Sequence, residues 1–123
     1  MSQTSTYPLF EHWYKTTDWI LDKCDQMPKH TRFTLAGRIA NLALDTLDLI
    51  NEAIYTKERK PLLGRVNMHL ERLRIFFRLC HDRHYISPTQ YQFVQQEINT
   101  AGKMCGGWMG ASAPNVYETL KVS

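Results

Sequence analysis

A chain of 123 residues with 43% hydrophobic side chains is one domain long and can bury a core without disulfides or a metal, which excludes a disordered protein. The cysteines Cys24, Cys80 and Cys105 are odd in number, far apart and without a CxxC pair, so reduced thiols are expected; a net charge of +3 is too modest to identify a polyanion partner by itself. No apolar run approaches the ~18 residues of a membrane span, and the polar start Met1–Thr6 lacks the build of a signal peptide, so a cytoplasmic protein with no membrane contact is expected.

Four segments carry a helical period. In the first, from about Pro8 to Gln26, Phe10, Trp13, Thr17, Ile20, Cys24 and Met27 alternate in steps of three and four and share one face. Pro8 suits a first turn, and Pro28 ends the segment because it disfavours a helical residue before it. The second, from about Thr31 to Tyr55, has a stripe of Leu35, Ile39, Leu42, Thr46, Leu49 and Ala53, widened by Ala36, Ala43, Leu47, Ile50 and Ile54. The third, from Pro61 to about His84, has Leu63, Val66, Leu70, Leu73, Phe77 and Cys80. In the fourth, Ser87 caps, Pro88 opens and Gln90 completes a capping box, and the stripe Tyr91, Val94, Ile98, Ala101, Cys105 and Trp108 leads to an end near Gly110. The expected fold is therefore all-α, an antiparallel up-down four-helix bundle over residues 7–110, with flexible tails at 1–6 and 111–123.

Charge and apolar patterning single out the third helix. Residues Lys57 to His84 hold eight basic and three acidic residues, a surplus of five, which leaves −2 for the rest of the chain. At about 100° per residue, Arg74 and Arg78 fall on one flank of its core stripe and Arg65, Arg72 and Arg83 on the other. Met68, Ile75 and Leu79 fall roughly opposite the core, where a solvated helix carries polar residues. Three apolar residues bordered by arginines suggest an oligomer interface, against the plainer reading that scattered exposed apolar residues are ordinary.

Catalytic and metal chemistry find little support. There is no phosphate-binding glycine loop, no GxSxG and no HExxH. Glu52, Glu71 and Glu97 are followed three residues on by Tyr55, Arg74 and Thr100, so the Glu-x-x-His pairs of a di-iron bundle are absent. His81 and His84, with Cys80, offer a metal in principle, but histidines at a helix C-terminus also suit the helix dipole. No enzyme, cofactor or metal is expected; a metal-binding or purely structural bundle is the alternative function. Gly102, Gly106 and Gly110, with Gly107, mark either a close backbone approach or a weakening helix end.

Three stretches in order carry a resemblance: Met27-Pro28-Lys29-His30-Thr31-Arg32-Phe33-Thr34-Leu35-Ala36-Gly37-Arg38-Ile39, Leu73-Arg74-Ile75-Phe76-Phe77-Arg78-Leu79, and Gly102-Lys103-Met104-Cys105-Gly106-Gly107-Trp108. Together they resemble the accessory variability determinant (Avd) family of diversity-generating retroelements, itself related to the four-helix proteins encoded within ribosomal RNA intervening sequences. The resemblance runs from about Tyr7 to Gly110. It implies a pentameric barrel of four-helix bundles that binds a reverse transcriptase and, through a basic surface, RNA and DNA. It implies support for mutagenic cDNA synthesis from template-repeat RNA, with Arg65, Arg72, Arg74, Arg78 and Arg83 as the contacts. Without zinc-finger spacing, a recognition helix or an RNP aromatic pair, those contacts would be electrostatic rather than sequence-specific.

Overall fold

The computed structural model describes residues 7–112, and among them are four α-helices and no strand. They are α1 (Pro8–Gln26), α2 (Leu35–Ile54), α3 (Lys60–Asp82) and α4 (Pro88–Ser112). Helices adjacent in the chain pack together, and α1 closes the ring against α4 over a smaller area. Residues early in one helix meet residues late in its neighbour. Arg38 lies against Phe76 and Thr46 against His69 between α2 and α3. Cys105 of α4 reaches Leu63 of α3, and Tyr7, just before α1, meets Trp108 of α4. The arrangement is that of an antiparallel four-helix bundle.

The core is built from the expected stripes. Trp13, Ile20, Ile39, Ile50, Leu63, Val66, Leu73, Phe77, Val94 and Ile98 are fully buried. Most of its buried polar side chains find a backbone carbonyl, the Thr17 hydroxyl excepted. The Trp13 indole donates to the Ala43 carbonyl at 3.0 Å, and the hydroxyls of Thr16 and Thr46 donate to His12 and Leu42, one turn back.

Local chemistry sets the helix ends. Met27 is extended before Pro28 and stops α1. The second helix begins at Leu35, not at Thr31. Lys29–Thr31 instead form a 3₁₀ turn in which both the backbone N–H and the hydroxyl of Thr31 donate to the Pro28 carbonyl, at 2.9 and 2.7 Å. This turn packs close over the first turn of α2, where a Cβ on Gly37 would overlap the Arg32 carbonyl oxygen. The end of α3 is a Schellman turn. His84 takes φ 63°, its N–H bonds to the His81 carbonyl, and the Tyr85 N–H bonds to the Cys80 carbonyl. The expected box opens α4: Ser87 N–H donates to Gln90 Oε1 at 2.9 Å, and Gln90 N–H donates to Ser87 Oγ at 3.1 Å. The fourth helix continues to Ser112, two residues beyond the expected end. The remainder of the two expected tails, residues 1–6 and 113–123, lies outside the described residues. No described helix is long and apolar enough to cross a membrane.

Candidate nucleic-acid and protein interface on the third helix

The core stripe of α3 fixes where its other side chains go. With Leu63, Val66, Leu70, Leu73, Phe77 and Cys80 buried, Arg65, Arg72 and Arg83 stand exposed on the shoulder toward α2. Arg74 and Arg78 stand on the shoulder toward α4. Among the described residues, Arg65, Arg72 and Arg78 form no ion pair. They are therefore available to an outside anion.

Arg74 differs from the other four. It is half-buried, pairs with Glu71 at 2.8 Å, and donates through Nε to Asn99 Oδ1 of α4 at 3.1 Å. Gln95 of α4 donates in turn to the Arg74 carbonyl at 3.2 Å. Arg74 thus braces α3 against α4. Its Nη2 also lies 3.5 Å from where a Cβ on Gly102 would stand, so the glycine leaves space beside the guanidinium. A Cβ at Gly106, Gly107 or Gly110 would meet nothing within 4 Å, so no other backbone of the described chain approaches that row.

The shoulder toward α2 holds residues that the sequence reading passed over. Arg38 of α2 lies over the Phe76 ring, 5.1 Å from its centroid. Together with Asn41, Leu42, Asp45, Arg72 and Phe76 it lines a shallow cleft of about 230 Å³. One turn from Arg72, His69 Nδ1 lies 3.0 Å from the Thr46 hydroxyl. Burial holds the His69 pKa below its ordinary value; Arg72 and Arg65 push the same way, and Asp45 opposes them. Arg38 was detectable in principle, because the period of α2 places it on the flank next to α3.

Opposite the core, Met68, Ile75 and Leu79 are 59%, 57% and 44% exposed. The apolar outer face expected from the period is therefore present on the isolated chain. Of the histidines at the end of α3, one is engaged by a ring and the other lies in the turn. His81 stacks on Tyr91 with ring centroids 4.5 Å apart, and His84 occupies the left-handed turn position. No group of three or more candidate metal ligands occurs among the described residues. All three thiols are free; Cys80 and Cys105 are buried and Cys24 is partly so. Cys80 is pushed up to about 12 by burial and then by Cys24, and burial raises Cys24 and Cys105 to about 11.

A profile of the bAvd-like family matches residues 9–111, from the second residue of α1 to the last turn of α4. No curated protein matches the chain. The chain belongs to the bAvd-like family.

Proposed function

We propose that this bAvd-like protein is a non-catalytic accessory subunit of a diversity-generating retroelement. It forms a closed homo-oligomer, a pentamer, and binds a reverse transcriptase and RNA or DNA, supporting mutagenic cDNA synthesis. The family match over residues 9–111 carries this reading, since membership suggests an accessory role in such elements and the family is generally non-catalytic. The arginines of α3 add physical support. Arg65, Arg72, Arg78 and Arg83 are exposed, and none pairs with a carboxylate of the described chain. A guanidinium fork binds carboxylate and phosphate bidentately, so this surface suits both an acidic protein patch and a nucleic-acid backbone. Arg74 contributes least, because Glu71 already occupies part of its fork. Met68, Ile75 and Leu79 form the contact between copies in this reading. The protein works in the cytoplasm, where its thiols stay reduced.

The test is co-purification. The tagged full chain is expressed with the reverse transcriptase of a diversity-generating retroelement, and the complex is assayed for cDNA synthesis on template-repeat RNA. Wild type is expected to co-purify and to be required for synthesis, and a combined Arg65→Ala, Arg72→Ala, Arg78→Ala variant is expected to fold but to lose the complex or the synthesis. A reverse transcriptase that works equally well alone would overturn the proposal.

A further inference from the structure

Between the 3₁₀ turn, the start of α2 and the end of α3 lies a cleft of about 320 Å³. Its lining includes His30, Thr34, Arg38, Phe76, Arg83 and Tyr85, and no carboxylate. Each guanidinium is braced by a ring: Arg38 lies 5.1 Å from the Phe76 centroid and Arg83 lies 5.5 Å from that of Tyr85. Arg83 Nε donates to the Tyr85 hydroxyl at 3.0 Å, and the same oxygen lies 3.2 Å from His30 Nε2. The Schellman turn at His84 is what brings Tyr85 back to this position. The terminal nitrogens of Arg83 and the guanidinium of Arg38 make no hydrogen bond or ion pair within the described chain. Thr34, the residue before α2, provides no side-chain cap, and the amino-terminal end of that helix borders the same space. Phe33, between Thr31 and Thr34 of the cleft wall, is 90% exposed.

Two held guanidinium groups with unused donors, lining a concave space without an acid, select a phosphate. Their combined charge favours a terminal phosphate, which carries about −1.5 to −2 near neutral pH. An internal phosphodiester carries a single negative charge and matches them less well. An exposed aromatic ring on the residue next to the cleft wall in the chain offers a platform for a base. We propose that this cleft binds the terminal phosphate of a nucleotide at the end of a single strand of RNA or DNA, with the adjoining base stacked on Phe33. The inference rests on the nucleic-acid part of the proposed function and names a specific site within it.

The experiment is a fluorescence-anisotropy titration of the full chain with internally labelled single strands that end in a 5′-phosphate, a 3′-phosphate or hydroxyls only. A strand with a terminal phosphate is expected to bind about tenfold more tightly than the hydroxyl-ended strand, the worth of one or two charge-assisted hydrogen bonds. Arg38→Ala and Arg83→Ala should each abolish that preference. Arg78→Ala, on the other shoulder, should weaken all strands alike and preserve it. Equal affinity for all three strands, or a preference that survives both variants, overturns the site while leaving general nucleic-acid binding intact. A nucleoside monophosphate that displaces the strand as well as unlabelled strand does would overturn the strand-end assignment in favour of a free nucleotide. No binding of any strand by wild type at low salt would overturn this inference together with the nucleic-acid reading it rests on.

Discussion

Gly37 shows how one residue decides a helix start. In the first turn of a helix, glycine is ordinarily worse than alanine by about 1 kcal/mol, so Gly37→Ala would be expected to stabilise on propensity alone. Here a Cβ would run into the Arg32 carbonyl oxygen, a backbone atom that moves only with the whole 3₁₀ turn. The close approach should win, and Gly37→Ala is expected to destabilise by about 1–3 kcal/mol, as overpacked sites do. Urea denaturation would read the sign, and a rise in midpoint would contradict the packing argument. Thr17 offers the opposite case. Its hydroxyl is buried without a partner, whereas those of Thr16 and Thr46 donate to carbonyls one turn back. Thr17→Val removes an unsatisfied group at nearly constant volume and should stabilise by about 1 kcal/mol. Thr46→Val should destabilise instead, because that hydroxyl also meets His69 Nδ1. Thermal melts of the two variants should therefore move in opposite directions.

Between α2 and α3, His69 reports on the charge around it. Burial holds its folded pKa below the ordinary 6.5, helped by Arg72 and Arg65. The unfolded chain therefore takes up this proton first as pH falls. The stability contributed by neutral His69 is fully present above about 6.5 and is lost on acidification toward the lowered folded pKa. The fall in stability between neutral pH and pH 5 should be shallower in His69→Gln, as measured by urea melts at each pH. A polyanion bound on the α2-side shoulder would offset the two guanidinium charges, so nucleic acid should raise the His69 pKa in an NMR titration. A pKa unmoved at saturating ligand would place the strand elsewhere. These elements also show what could be read without coordinates. The start of α4 was legible because Ser87 and Gln90 satisfy each other three residues apart, and the α3 stripe was legible because the period alone selects it. The start of α2 was not, since Thr31 and Thr34 suit a turn or a first helical turn equally, and the contact of Gly37 with Arg32 decides between them. The brace from Arg74 to Asn99 depends on how α3 and α4 are rotated against each other, which no single-helix pattern contains. The cleft of His30, Arg38, Arg83 and Tyr85 was equally hidden. It joins residues from three parts of the chain through a left-handed turn at a histidine, where a glycine would have advertised the turn.

At the scale of the whole molecule, the outer face of α3 is out of keeping with a solitary bundle. Met68, Ile75 and Leu79 project from the helix opposite its core, each at least two-fifths exposed, with Arg72 beside them. Covering each such side chain is worth up to about 1.5–3 kcal/mol, so three on one helix can drive assembly where single exposed residues elsewhere cannot. The chain is therefore expected to run as a closed oligomer in size-exclusion chromatography with light scattering at micromolar concentration. Ile75→Asp should shift it toward monomer while leaving helical content and the bundle core intact, because the change places a charge in a surface that assembly would desolvate. A monomer mass for wild type would refute the assembly, and an Ile75→Asp variant of unchanged oligomer mass would move the interface to another face. Assembly also changes how the arginines act. A modest net charge of +3 on one chain becomes a repeated ring of guanidinium groups, and each phosphate contacted by a strand crossing several copies releases a counterion. Affinity for RNA or DNA should then fall steeply with salt in the wild-type oligomer and only gently in Ile75→Asp, in an anisotropy titration at two salt concentrations. Equal salt slopes for the two proteins would show that one copy alone makes all the phosphate contacts.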